Sequence, residues 1–451
     1  MPKGTIIAPV TQALSELIEF LRIPSVSADP AHNQDTKRAA AWLEAKLQAL
    51  GFSVEVAPTA NHPIVYAEKH VGEAAPTVLI YGHYDVQPPD PLELWETPPF
   101  EPTVRDGKLY ARGSSDDKGQ IFAHIAAVEA LGSALPVNVK FVIEGEEEVG
   151  FGNLVPWLKE NVERLRADVL VVSDSSMLAP GQPAITYGLR GIVLMEVRLQ
   201  GASRDLHSGT YGGGAPNPIH AAAWMIAKLK GEDGTIRIPG FYDRVRPISP
   251  DERALYAQLP FDEGAFAAAI GATAMPGEEG YGLLERVWAR PTLDVNGIWG
   301  GYQGEGSKTV IPAKAGFKLS MRLVPDQDPS VIHALTRAYL EAILPLGYRM
   351  DIVPLGEGKP VITPLDSPAM QAAAVALERA WGKKAVFNRM GGSVPIVADF
   401  QELLGIPTVL MGFGLDDDNL HSPNEKFDLI NFEKAIESSR NFLLEFAKQA
   451  G

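Results

Sequence analysis

Apolar positions along this chain change their spacing several times, and each change marks an expected element. Near the start they recur at helical intervals: "PVTQALSELIEFLRI" is amphipathic. In "DTKRAAAWLEAKLQALG", Trp42, Leu43, Leu47 and Leu50 carry the apolar side, Asp35 is the expected N-cap and Gly51 the stop. Strand patterns follow at "FSVEV", "TVLIYGH", "VNVKFVIEG" and "ADVLVVSD", with helical stretches at "GQIFAHIAAVEALG" and "NLVPWLKENVERL" among them. Short apolar strands separated by helices predict an α/β fold whose mainly parallel sheet is covered by helices on both faces.

From about Tyr187 the pattern becomes that of half-exposed antiparallel strands. "ITYGLRGIVLMEVRLQG" and "AKAGFKLSMRLVP" alternate, with the helical "PNPIHAAAWMIAKLKG" between them and the Pro-rich "IRIPGFYDRVRPISPDERALYAQLP" as an irregular excursion. Near Ser367 the helix–strand alternation returns in "SPAMQAAAVALERAWG", "IPTVLMGFG" and "NFEKAIESSRNFLLEFAKQ". The expected organisation is one α/β domain in two parts, 1–186 and 363–451, split by an inserted α+β domain at 187–362. No internal repeat or low-complexity tract interrupts it.

Composition narrows the partners. A chain of 451 residues is too long for one ordinary core, which agrees with two domains. Forty Lys and Arg against 56 Asp and Glu give a net charge of −16, which argues against nucleic acid and against an anionic membrane surface. With no cysteine, disulfides and thiolate metal sites are excluded, so any metal must rest on His, Asp, Glu or backbone oxygen. No apolar run is long enough to cross a bilayer, and the first residues lack a secretory layout, so the expected location is cytoplasmic.

In such sheets ligands bind beyond the carboxyl ends of the strands. "TVLIY" runs into His83 and Asp85, "VNVKFVI" into Glu144, Glu146, Glu147 and Glu148, and "ADVLVV" into Asp174. Two like charges about 4 Å apart repel by roughly 4 kcal/mol at an effective dielectric near 20. A glutamate cluster is therefore either a solvated turn or the wall of a cation site. His83 and Asp85 form a His-x-Asp pair in which a carboxylate can orient a metal-binding imidazole. In "GSSDDKG", Asp117 suits a helix start, whereas Asp116 can offer an oxygen to each of two ions. With Glu147, Glu148, Asp174 and His421 of "DDDNLHSPNEK", the set suits two divalent ions. One of the two adjacent glutamates is left off the metal as a general base.

In this order, "GHYDVQP", "ARGSSDDKG", "EGEEEVG", "VSDSS" and "HSPNEK" resemble the dinuclear-zinc metallopeptidases. That family includes carnosinase-type dipeptidases, glutamate carboxypeptidase, aminoacylases, acetylornithine deacetylase and succinyl-diaminopimelate desuccinylase. The resemblance implies that His83 and Asp174 hold one ion, Glu148 and His421 the other, with Asp116 bridging. Glu147 is then the general base, Asp85 orients His83, and a cis peptide joins Asp116 to Asp117. Zinc is the implied metal, with manganese as the alternative. "TYGLRG", "DLHSGTYGG", "GEGSKTVIP" and "SMRLVP" look closest to the carnosinase-type branch, in which the inserted domain is a lid that also forms a homodimer. There His207 would reach the partner's active site and stabilise an oxyanion, Thr309 would contact substrate, and Arg322, Gly392 and Ser393 would hold its carboxylate. Carnosinase-type members commonly carry an acid where this chain has Met390; if that acid helps hold a free amino terminus, its loss points to N-blocked or longer substrates instead.

The implied activity is metal-dependent hydrolysis of a peptide bond in dipeptides or short peptides. A deacylase of N-acyl amino acids with the same metal core is the alternative, and a non-catalytic amino-acid-binding protein is a rival from another class. Other patterns carry less. "GYQGEGSKT" breaks the order a phosphate-binding loop needs, and "GGSVP" does not fit a nucleophile elbow. His124 reads as a core histidine, and His32, His62, His70, His220 and His333 as structural or surface. "LDDDN" at 415–419 reads as a solvated loop, while Trp95 and Phe100 read as residues that pin a loop.

Overall fold

The apolar run from Val78 to Tyr81 forms the strand Thr77–His83, buried along almost its whole length at the middle of a sheet. The computed structural model describes residues 8–150, 152–392 and 394–450, and the chain falls into two units. The first comprises Met1–Tyr187, Thr363–Phe387 and Asp399–Gly451. The second comprises Gly188–Ile362 with Asn388–Ala398, a stretch outside the insertion expected at 187–362.

In the first unit the strands lie in the order Ser53–Ala57, Ile64–Lys69, Asn138–Glu144, Thr77–His83, Val169–Val172, Thr408–Leu410 and Ala184–Leu189. The central four are parallel to one another, and the outer ones are antiparallel. After Thr77–His83 the chain takes up the strand on one side, then crosses to the strand on the other. The carboxyl end of Thr77–His83 is thus a switch point, the usual place for a crevice in such sheets. Helix Lys118–Leu131 is buried on every side from Lys118 to Val128, its polar Lys118, Gln120 and His124 included, unlike the amphipathic Asn33–Ala49 and Leu429–Ala450. Among the described residues no helix is long and apolar enough to cross a membrane.

The second unit is a four-stranded antiparallel sheet in the order Thr292–Gly300, Lys314–Leu323, Gly191–Gln200 and Arg349–Gly358. Val193, Met195, Val197 and Leu199 alternate onto one face, as a pleated strand requires. They pack with Met225 and Leu229 of helix Pro218–Leu229 and with Ile332 and Leu340 of helix Pro329–Ile343.

Several local expectations are corrected. The helix expected to be capped by Asp35 begins at Asn33, and Asp35 in its first turn lies 2.7 Å from His32 Nδ1 instead. "ITYGLRGIVLMEVRLQG" is two strands, Ala184–Leu189 and Gly191–Gln200. The first is wholly buried, without alternation, because Thr186 pairs with Leu410 in the first unit's sheet. The excursion at 236–260 contains a helix, Pro250–Ala257, whose N-cap Ser249 accepts from the Glu252 N–H. Within "LDDDN", Asp418 is fully buried: its carboxylate accepts from the Ser115 hydroxyl at 2.7 Å and lies 2.6 Å from Lys426 Nζ.

Candidate metal centre

Strand register brings the predicted residues to one end of the sheet. His83 is opposite Glu144, and Tyr81 is opposite both Val142 and Val172, so Glu147, Glu148 and Asp174 follow at the same level as His83. Gly145 lets the chain turn there, since a Cβ at that position would overlap the Tyr84 ring. The glutamates then part company. Glu144 is buried and accepts from the Tyr81 hydroxyl at 2.6 Å. Glu146 is buried and accepts from the His62 N–H and the Asn153 amide, both at 2.7 Å. Glu147 and Glu148 stand on a single helical turn, Glu147–Val149, beside His83 and Asp116.

Asp116 opens helix Lys118–Leu131 from the loop before it, and the Asp116–Asp117 peptide bond is cis. Its two oxygens point to different histidines: Oδ1 lies 3.1 Å from His83 Nε2 and Oδ2 3.0 Å from His421 Nε2. Asp174 Oδ2 is 3.9 Å from His83 Nε2, and Glu148 Oε2 is 3.3 Å from His421 Nε2. The outcome is two triads that share Asp116: His83, Asp116 and Asp174, and Asp116, Glu148 and His421, with potential ligand atoms within 4.8 Å of one another in each. Asp85 stands behind His83, its backbone oxygen 3.0 Å and its Oδ1 3.4 Å from Nδ1.

The charges fit cations. Both ring nitrogens of His83 face acceptors, yet the ring is completely buried. Burial would lower its pKa, and hydrogen bonds to Asp116 and Asp85 overcome that and raise it well above the usual value. Burial, and then the charge of Asp116, push Glu148 up to about 8 and Asp174 up to about 7. Burial raises Glu147 as well. Asp116 moves the other way: hydrogen bonds with His421 and His83 outweigh its burial and hold it well below the carboxylate range. His421 is raised to about 9, first by its hydrogen bond to Asp116. Crowded carboxylates that retain protons beside two imidazoles are a site short of positive charge. Divalent ions on His and carboxylate donors supply it.

Two support residues had no role assigned from the sequence, one inside a motif and one outside all of them. Gln87 of "GHYDVQP" donates to Glu148 Oε2 at 2.8 Å, and Ser27 donates to Asp85 Oδ2 at 2.6 Å. Asp117, an N-cap by position, makes no side-chain cap. Its Oδ2 accepts from the His83 N–H at 3.2 Å. His124 is a core histidine 2.8 Å from Ser173 Oγ, and His62 is held between Thr36 and Ser27. Trp95 pins its loop by donating to the Pro89 carbonyl.

The other predicted residues belong to the second unit, except that Ser393 lies outside the described residues. His207 pairs with Val310 on a short two-stranded ladder, and the Ser208 N–H donates to the Thr309 carbonyl, so His207 and Thr309 are neighbours. The Gly209 N–H donates to His207 Nδ1 at 3.0 Å, which places the ring proton on Nε2, as a donor on an exposed side chain. Arg322 lies on strand Lys314–Leu323 near Arg190. Arg190 is lowered to about 10 by burial and then by the charge of Arg322. Arg190 also donates from Nε to the Gly391 carbonyl at 2.8 Å and from its N–H to the Gly392 carbonyl at 3.2 Å. The sequence pattern assigns Arg190 no role, yet these two bonds hold the chain at Gly391 and Gly392. Met390 ends strand Val386–Met390, half-buried.

A family model described as peptidase family M20/M25/M40 matches residues 79–447. The chain is 32% identical over 453 residues to the Cys-Gly metallodipeptidase dug1 of Schizosaccharomyces pombe, covering 96% of this chain and 95% of that protein. It is 33% identical over 456 residues to the human Beta-Ala-His dipeptidase, covering 97% and 90%. Among solved structures, the M20 family metallo-carboxypeptidase Sso-CP2 of Sulfolobus solfataricus superposes with a TM-score of 0.87. It is 33% identical, and the match covers 97% of this chain and 99% of that one.

Proposed function

The chain belongs to peptidase family M20/M25/M40 and is a metallopeptidase, and from that premise we propose that it hydrolyses the peptide bond of dipeptides and short peptides that end in a free carboxylate. The observation that carries this reading is the pair of triads joined by Asp116, with Glu147 beside them and in neither.

His83 and Asp174 would hold one divalent ion, Glu148 and His421 the other, and Asp116 both. Zinc suits this nitrogen and oxygen donor set, with manganese as the alternative. Such ions polarise a scissile carbonyl and bring the pKa of water towards neutrality. Glu147 takes a proton from the attacking water and returns it to the leaving amine. Asp85 keeps the Nδ1 proton of His83 in place, so that Nε2 presents a lone pair to the site. His207 from a second copy of the chain donates its Nε2–H to the developing oxyanion. Thr309 contacts substrate, and Arg322, Gly392 and Ser393 receive its carboxylate, with the turn at Gly391 and Gly392 fixed by Arg190. The working form is a homodimer through the second unit, in the cytoplasm, with no nucleic acid or membrane partner.

Both activities named among the similar proteins, dipeptidase and carboxypeptidase, are peptidase activities that fit recognition of a carboxylate end. Met390, in place of an acid, favours acceptance of longer or N-blocked chains beside dipeptides. Zinc-loaded protein should be assayed on dipeptides, on longer peptides with free or amidated carboxyl ends, and on N-acetyl and N-succinyl amino acids. Cleavage of dipeptides and of free-carboxylate peptides, with amidated ones spared, is expected. Cleavage of the acyl amino acids alone would instead make the chain a deacylase. Binding of amino acids without any hydrolysis would make it a binding protein.

A further inference from the structure

Of the triad residues, His421 is the one whose place packing does not explain. Its side chain is 55% exposed, whereas that of Asp116 is 10% and that of His83 wholly buried. It also lies on a loop in which Asn419, His421 and Asn424 all adopt left-handed backbone, with φ of 57°, 58° and 61°. Such a loop needs outside restraints if His421 is to meet a carboxylate that precedes it by more than half the chain.

The restraint is the carboxylate of Glu425. It is completely buried, and two donors converge on each of its oxygens. Oε1 accepts from the backbone N–H of Ser115 at 3.0 Å and of Asp116 itself at 3.1 Å. Oε2 accepts from the Gly113 N–H at 2.9 Å and from Arg112 Nη1 at 2.8 Å. Next to it, Asn424 accepts from the Glu96 N–H and donates to the Leu94 carbonyl, both at 2.8 Å. His83 and Asp174 need none of this, because strand register sets them. Asp116 keeps a tie of its own to His83 Nε2 at 3.1 Å, and its neighbour Ser115 keeps two more: Gln120 donates to the Ser115 carbonyl at 3.1 Å, and the Ser115 hydroxyl donates to Asp418.

We propose that Glu425 is a positioning residue that sets where His421 stands relative to Asp116, and so governs the Asp116–Glu148–His421 subsite selectively. The inference rests on the two-ion reading above. Four donors around one carboxylate leave no room for an amide, because Gln would turn an NH2 towards donors on one side. Glu425→Gln also leaves the guanidinium of Arg112, itself 1% exposed, without its counter-charge, so loss of the fold is a possible result for that variant. Glu425→Asp keeps the charge and shortens the reach by one methylene, and it carries the test.

Full-length metal-free wild type and Glu425→Asp should be titrated with zinc against a competing chelator, and their melting temperatures recorded with and without zinc. The wild type is expected to bind two ions. In the variant one ion should bind as before, and the second should weaken about 10–100-fold, the usual effect of losing a residue that supports a metal ligand. The metal-free variant should melt somewhat lower, because a shortened carboxylate cannot meet all four donors, and the zinc-induced rise should shrink in addition. Two ions bound at wild-type affinity in Glu425→Asp would overturn the role of Glu425, as would an equal loss of stability with and without zinc. A wild type that binds fewer than two ions would instead overturn the two-ion reading beneath it.

Discussion

Asp85→Asn separates the orientation of a ligand from its presence. In the structure Asp85 Oδ2 accepts from the Ser27 hydroxyl at 2.6 Å and from the Glu148 N–H at 3.1 Å, while Oδ1 is 3.4 Å from His83 Nδ1. The backbone N–H of Glu148 can only donate, so the amide oxygen of Asn must remain on that side. Its NH2 then faces His83 Nδ1, which carries a proton whenever Nε2 offers its lone pair to an ion. Two donors meet, and the negative charge that makes His83 a better ligand is gone. The Asp85 carbonyl, 3.0 Å from Nδ1, still holds the ring, so the ligand is weakened but not lost. The expected cost is about 10–100-fold in zinc affinity at the His83 subsite, or about 1.4–2.8 kcal/mol. Stability without metal should behave differently. The charge of Asp85 adds to what burial already does to Glu144 and Glu147, so removing it relieves repulsion and offsets the mismatched amide. Metal-free Asp85→Asn should therefore unfold within about 1–2 kcal/mol of the wild type. Chelator competition measures the first quantity and urea unfolding the second. Zinc affinity within about twofold of the wild type would refute the reasoning.

Other consequences are as direct. Glu147→Gln should keep both ions and lose hydrolysis by about 10²–10⁴-fold; activity within about tenfold of the wild type would remove Glu147 as the base. Gly82→Ala should cost about 1–3 kcal/mol in urea unfolding, because its Cβ would sit 2.5 Å from Asp117 Oδ2 and 2.9 Å from Ile121 Cδ1. A variant as stable as the wild type would show that Asp117 is not held where the structure has it. Asp174 near 7, Glu148 near 8 and His421 near 9 hold protons that a cation must displace. Calorimetry in buffers of different ionisation enthalpy should thus find protons released on zinc binding near pH 6 and few near pH 9.5, and a pH-independent count would contradict this. The sign for the metal-free fold follows from the same groups. Raised carboxylates destabilise as they ionise, and a raised histidine gives up its stabilising charge, so stability should fall between about pH 5 and 9.

Much of this centre is legible in the sequence because each ligand follows an apolar strand or sits in a short acidic or histidine-containing motif. His83 and Asp174 are carried by strands whose burial leaves them no other face, and parallel pairing brings their ends level. The division of labour among the glutamates is less legible. Glu146 and Glu147 look alike as letters, yet Glu146 is occupied by the His62 N–H and Asn153, partners contributed by a loop and by the start of helix Leu154–Glu160. Asp418 and Glu425 stand in a polar, acidic string that reads as solvent-exposed. Their burial depends on Ser115, Arg112 and the backbone of 113–116, some 300 residues earlier in the chain, which no local pattern reveals. Strands Thr292–Gly300 and Arg349–Gly358 escaped notice for another reason. They flank the second unit's sheet, bury few residues and carry a register shift each, so their apolar alternation is weak.

The most direct measurement is anomalous diffraction from crystals grown with zinc, recorded on both sides of its absorption edge. Two peaks are expected, one among His83, Asp116 and Asp174 and one among Asp116, Glu148 and His421, with the Asp116 carboxylate between them. A single peak in hydrolytically active protein, or two ions with no shared Asp116, would contradict that arrangement.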